Sequence, residues 1–145
     1  ERSMTMGWPR RSLGLRGISS SSSRGRRRCR IVPLPPREAL ESALVVLIDI
    51  QRATSTLVTA FARGLEDVRI YADVRDARAA GAELLGGERD FRKIAGFDLD
   101  NSPRAYTEDV VLGRSLAFTS TNGAKALVAA GAGEVALGSF LNQAA

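Results

Sequence analysis

Three short polar stretches carry most of the chemistry legible in this chain. They are Asp49-Ile50-Gln51-Arg52-Ala53-Thr54-Ser55-Thr56, Thr119-Ser120-Thr121-Asn122-Gly123-Ala124-Lys125 and Gly138-Ser139-Phe140-Leu141-Asn142. Each follows a β-prone apolar run and precedes a helical pattern. Each offers hydroxyls, amides and the free N–H groups of a helix start, the groups that hold phosphate or carboxylate with help from the helix dipole. Arg52 adds a planar fork suited to bidentate phosphate contact. Asp49, at a strand tip, is placed to hold Mg²⁺ or to orient a water. A fourth stretch, Gly87-Glu88 followed by Gly96-Phe97-Asp98-Leu99-Asp100-Asn101-Ser102-Pro103, supplies oxygen ligands that could complete such a metal site. Helix capping accounts equally well for any one Ser, Thr or Asn loop, and a turn-rich surface loop for the fourth stretch.

The elements that must position these groups alternate between strand and helix. Leu44–Ile48 reads as a buried strand, and Thr54–Arg63 as a helix with Leu57, Val58 and Phe61 on one face and Gly64 as its stop. Val68–Tyr71 is a second strand, and Asp73 caps a short helix through Ala80. Ala82–Leu85 is a third strand, ending in Gly86-Gly87-Glu88, and Arg89–Pro103 is a long loop. Thr107 and Glu108 start a short helix ending near Gly113. Ser115–Phe118, Gly123–Ala130 and Val135–Leu137 read as strand, helix and strand, and Ser139–Ala145 as the opening of a helix. The pattern predicts an α/β fold, a layered α/β/α arrangement with a largely parallel sheet, incomplete at the C-terminus. If the strands are parallel, the three polar tips meet on one edge, where open α/β sheets bind ligands.

Composition narrows the chemistry. The net charge of +5 is unevenly placed: residues 1–30 hold nine Arg and one Glu, whereas residues 31–145 hold twelve basic and fifteen acidic residues. The basic, Ser-rich stretch 1–30 reads as a disordered tail, since it cannot bury enough apolar surface to order itself. A transit peptide and an anionic-surface or nucleic-acid tail are the other readings, so nucleic-acid contact is expected only through these residues. Residues 31–145 read as the N-terminal part of an α/β domain. There is no His, which removes His-based general-base catalysis, phosphohistidine chemistry and His-ligated zinc. The single cysteine, Cys29, lacks an Arg six positions on, where Pro35 stands, so a Cys-based phosphatase loop is excluded. Gln51 stands two residues after Asp49 in place of the second Asp of an aspartyl-phosphate design. Neither a Gly-x-x-x-x-Gly-Lys loop nor a Gly-x-Gly-x-x-Gly fingerprint is present. A lone cysteine fits a reducing compartment, and the longest apolar run, Ala43–Ile48, is too short to span a membrane. A cytoplasmic protein without a membrane partner is therefore expected.

Five elements together resemble the 2-phosphosulfolactate phosphatase family. Val45-Val46-Leu47-Ile48-Asp49-Ile50-Gln51-Arg52-Ala53-Thr54-Ser55-Thr56 is similar to that family's opening strand and loop. Gly87-Glu88-Arg89, Gly96–Pro103, Thr119–Ala124 and Gly138–Asn142 follow in the family's order. Gln51, Ser55, Asp100, Ser120 and Ala124 depart from its usual residues. Members continue beyond the position of Ala145. The resemblance implies a Mg²⁺-dependent phosphatase that converts 2-phosphosulfolactate to 3-sulfolactate and phosphate, a step towards coenzyme M. The alternative is a non-catalytic or truncated paralogue that binds a small anion. On this reading Asp49, Arg52 and Glu88 are the catalytic residues, with Asp49 and Asp98 as metal ligands. Thr54, Ser55, Thr56, Asn101, Ser102, Thr119, Thr121, Asn122 and Gly123 are the substrate contacts. The expected partner is a small anionic phosphate ester; the oligomeric state, homo-oligomer included, is left open.

Overall fold

The computed structural model describes residues 3–7, 31–32, 44–130 and 134–144. Its strands are β1 (Ser3–Gly7), β2 (Leu44–Ile48), β3 (Asp67–Tyr71), β4 (Leu84–Arg89), β5 (Arg92–Lys93), β6 (Ser115–Thr119) and β7 (Glu134–Gly138). The helices are α1 (Ala53–Ala62), α2 (Val74–Ala79), α3 (Glu108–Val111) and α4 (Gly123–Ala129), with a 3-10 turn at Pro103–Ala105.

The expected α/β fold is present. Five strands form one sheet in the order β1-β3-β6-β4-β5, and β2 pairs with β7 in a separate two-stranded sheet. The central pairings β3–β6 and β4–β6 are parallel, as is β2–β7, while β1 and β5 add antiparallel edges. Side chains alternate across β6, and the two faces carry different cores. Leu116 and Phe118 pack with Val68, Ile70, Leu57, Phe61 and Leu127, under α1 and α4. Ala117 packs on the other face with Tyr71, Ala77 and Phe97, under α2. Helices on both faces of a mainly parallel sheet give the three layers expected.

Local signals explain the element ends. Asp73 caps α2 by accepting from the Arg75 N–H at 2.7 Å. Gly64, at φ 88°, ends α1, and the Leu65 N–H returns to the Ala60 carbonyl.

Four differences from the sequence reading stand out. Residues 3–7 form a strand where composition predicts disorder, because the open edge of β3 offers backbone partners to any run of N–H and C=O groups. The rest of the tail, Cys29 included, lies outside the described residues. β4 runs on through Gly86 and Gly87 to Arg89, so Glu88 stands in a strand rather than after one. Arg92–Lys93 turns back on β4 inside the stretch expected to be loop. Residues 139–144 form turns, not a helix start. There the Asn142 side chain accepts from the Ser139 N–H at 2.9 Å and donates to the Leu137 carbonyl at 2.8 Å, which closes the segment on itself.

Candidate functional site

The parallel register puts the strand ends on one edge. Ile48 is level with Gly138, and Gly87 with Thr119. Contacts join the two sheets at that edge: a Cβ placed on Gly123 would lie 2.8 Å from Asp49 Oδ2, 2.6 Å from Ala53 Cβ and 3.2 Å from Ser120 Oγ. The Asp49 carboxylate therefore packs directly on the Gly123 backbone, an approach that only glycine permits. The tips after β2, β6 and β7 converge, as the parallel pattern requires.

Asp49 is held by its own loop. The Thr54 hydroxyl donates to the Asp49 carbonyl at 2.8 Å and accepts from the Asp49 N–H at 3.1 Å. The Ser55 hydroxyl donates to the Ile50 carbonyl at 3.1 Å. Partial burial raises the Asp49 pKa and the nearby Glu88 charge adds to the rise; the N–H groups of Ala53 and Arg52 oppose it. Those two N–H groups belong to the start of α1, so Asp49 itself takes the place there that the sequence reading offers to a ligand anion. Arg52 flanks this carboxylate, half-exposed, and its guanidinium has no hydrogen-bond or ion-pair partner among the described residues. A guanidinium with no hydrogen bond among the described residues, beside the Asp49 carboxylate, keeps its donors for an anionic ligand.

Glu88 is buried at the end of β4 and ties two loops together. Its Oε1 accepts from the Thr121 N–H at 2.7 Å; its Oε2 accepts from the Thr121 hydroxyl at 3.0 Å and from the Phe91 N–H at 2.9 Å. Burial pushes its pKa up, but these donors outweigh burial and hold it below the ordinary value. The two carboxylates at the edge thus differ: Glu88 stays ionised, and Asp49 takes up a proton more readily. Replacing Glu88 by Gln strands at least one buried donor, at about 1–3 kcal/mol each. The expected result for Glu88→Gln is a drop in melting temperature with loss of function, read by calorimetry; unchanged melting would remove Glu88 from this structural role.

The remaining expected site residues divide. Thr54, Ser55 and Thr121 are brought to the edge, but their hydroxyls are committed to holding the loops. Thr119 is fully buried and accepts from Arg89 Nη2 at 2.8 Å. The Thr56 hydroxyl is buried and has no hydrogen-bond partner among the described residues. Asn122 is exposed at the start of α4, and its side chain makes no capping bond. Gly86 and Leu99 form an isolated parallel bridge, which brings the Asn101 segment alongside β4. Asn101 is buried, and its Oδ1 has no hydrogen-bond partner. Ser102 is held through its N–H by Asp100 Oδ1 at 2.9 Å.

Asp98 is not brought to the cluster. Its Oδ2 accepts from the Leu85 N–H at 2.8 Å, near the start of β4, three residues before Glu88. With Asp98 elsewhere, the described residues contain no group of three or more Asp, Glu, Cys or His able to share a metal ion.

Two features escape the sequence reading. Arg89 reaches across the strand ends to Thr119 and to the Ala72 carbonyl at 3.3 Å, and its Nη1 is buried without a partner. The buried Ser120 hydroxyl accepts from the Ala124 N–H at 2.8 Å, taking the capping role that falls to Asn122 by position. The prior signal for Arg89 is its place in the Gly87-Glu88-Arg89 element, to which the sequence reading attached no role for the Arg.

A family model described as 2-phosphosulpholactate phosphatase matches residues 29–145. A protein of Symbiobacterium thermophilum named probable 2-phosphosulfolactate phosphatase is 43% identical over 119 residues, covering 77% of this chain and 51% of the relative. Proteins of the same name from Caldicellulosiruptor saccharolyticus and Thermotoga petrophila are 41% and 36% identical, covering 72% and 79% of this chain and 46% and 51% of the relatives. The chain spans about half the length of the curated relatives it matches.

Proposed function

The chain belongs to the 2-phosphosulpholactate phosphatase family, and on that premise we propose that its edge cluster binds a small polyanionic phosphate ester and hydrolyses it. The supporting observation is the meeting of Asp49, Glu88 and Arg52, whose guanidinium has no hydrogen-bond partner among the described residues, at the carboxyl ends of parallel strands. The relatives' names supply the substrate, 2-phosphosulfolactate, and the products are 3-sulfolactate and phosphate, a step towards coenzyme M in the cytoplasm.

Arg52 holds phosphate oxygens with two parallel N–H donors. The free Asn122 amide is a second donor at the same edge. Asp49, whose pKa is raised, accepts a proton from the attacking water as its oxygen bonds to phosphorus. The P–O bond to the substrate's C2 oxygen breaks, the alkoxide takes up a proton from solvent, and Asp49 releases its own.

The donor set also fits Mg²⁺. That ion favours one or two carboxylates with water and substrate phosphate, and Asp49 and Glu88 supply two. The buried Asn101 Oδ1, without a hydrogen-bond partner among the described residues, is a neutral oxygen of the right kind. A bound Mg²⁺ supplies charge neutralisation for the phosphoryl oxygens.

Release of phosphate from 2-phosphosulfolactate, with Mg²⁺ and with chelator, tests the proposal. Release that stops on chelation is the expected result; substrate binding without release contradicts it and points to the anion-binding alternative. Arg52→Lys provides a sharper check. A point charge cannot reproduce the fork, and a charge-assisted hydrogen bond contributes about 1.5–3 kcal/mol, so kcat/KM should fall roughly tenfold to 150-fold. The melting temperature should hold, since the Arg52 guanidinium holds no other group among the described residues. Near-normal turnover in Arg52→Lys rejects the clamp.

A further inference from the structure

The two-stranded sheet is covered on one face only. On one side Leu47, Val135 and Leu137 pack against the main core. On the other, Leu44, Val46 and Ile48 of β2 stand 53%, 55% and 65% exposed. Ala136 and Gly138 of β7 lie beside them in register and leave the surface flat. Ile50, Phe140 and Leu141, just past the two strand ends, extend the exposed apolar surface. Six of the ten large apolar side chains exposed among the described residues belong to this one region.

Such a face is at odds with its own sequence. Leu44-Val45-Val46-Leu47-Ile48 is apolar at every position, the composition of a strand buried on both faces, whereas a strand with one wet face alternates. Parallel pairs acquire that second cover from crossover helices, which lie on both faces. Here α1 and α4 serve one face of this region. The relatives are about twice the length that this chain spans, so a family-length protein has further chain with which to cover the other. We propose that the Leu44–Val46–Ile48 face is an interface for the part of a family-length chain that this sequence does not match, packed on it through apolar helix side chains. The same strands end at Asp49 and Ser139, so the covering segment also forms a wall of the edge cluster.

Cysteine protection tests this. In a Cys29→Ser background, Val46→Cys is the single thiol, and its rate of maleimide labelling is measured in this chain. The measurement is repeated in a chimera that carries residues 44–144 within the Symbiobacterium thermophilum relative. Fast labelling in the chain and labelling at least roughly tenfold slower in the chimera is the expected result, since a packed face reacts only when it opens. Should the chimera fail to fold, a cysteine at the aligned position of the relative itself gives the same reading. Equal labelling in the two contexts overturns the proposal. Protection in the chain alone that grows with protein concentration also overturns it, in favour of a second copy as the occupant. Val46→Lys gives an independent readout: no change of melting temperature in this chain, and a clear fall in the chimera.

Discussion

Replacing Asp49 by Asn is expected to abolish phosphate release while leaving the fold at least as stable at neutral pH. The two effects share one cause. Burial raises the Asp49 pKa, so the folded state prefers the neutral acid. For a group raised in this way, the favourable contribution to stability is present below the ordinary carboxylate pKa. It is lost as pH rises through the folded value, so at neutral pH the ionised Asp49 costs stability. An amide of the same shape removes that cost and removes with it the charge that takes a proton from water or faces a cation. Glu88 has the opposite sign: its pKa is lowered, so its contribution is present at neutral pH and lost only in acid. Consequently the acid limb of kcat/KM should lie above the ordinary Asp value and belong to Asp49. Melting temperature and turnover measured across pH for both proteins check this. A large loss of melting temperature in Asp49→Asn, or turnover close to that of the parent, contradicts the assignment.

Gly123→Ala is expected to be nearly as damaging, by a different route. The added methyl would sit 2.8 Å from Asp49 Oδ2 and 2.6 Å from Ala53 Cβ, and something must give. Ala53 is fully buried at the first turn of α1, so the helix cannot easily retreat. Overpacking of a tight contact costs about 1–3 kcal/mol. A carboxylate moved by about 1 Å costs on the order of 100-fold in rate. The expected outcome is a modest drop in melting temperature with a much larger drop in turnover. A crystal structure of the variant should show Asp49 displaced from the α4 start. Normal turnover in Gly123→Ala would mean that the contact between the two tips is unrelated to function.

The order of elements was readable because β-prone runs and helix stops alternate cleanly: Leu44–Ile48, Thr54–Arg63 and Ser115–Phe118 each lie within a residue or two of the structure. The convergence of polar tips was readable for the same reason, since parallel strands must place their carboxyl ends together. The role of each hydroxyl was not. Thr54 and Thr121 look like ligand contacts in a sequence, yet a buried hydroxyl beside a carbonyl or a carboxylate is drawn into holding the loop. Asp98 sits in an oxygen-rich stretch, but the chain passes along β4 at that point, and its carboxylate meets the Leu85 N–H instead of the edge. Gly86 and Gly87 read as the ending of the Ala82–Leu85 strand because glycine weakens a strand; here close contact with Tyr106 and Thr119 carries β4 through them to Arg89. The division of seven strands into two sheets left no local trace, because pairing partners are set by packing across the whole fold.

The convergence of the tips into one ligand site is most directly tested by amide chemical shifts on the ¹⁵N-labelled protein, titrated with Mg²⁺ and 2-phosphosulfolactate. The amides of Arg52, Ala53, Glu88, Thr121 and Gly123 should move together along one saturable curve, and should stop moving in Arg52→Lys at the same concentrations. Shifts confined to other surfaces, or separate curves for the Asp49 and Thr121 loops in a folded protein, would contradict a shared site.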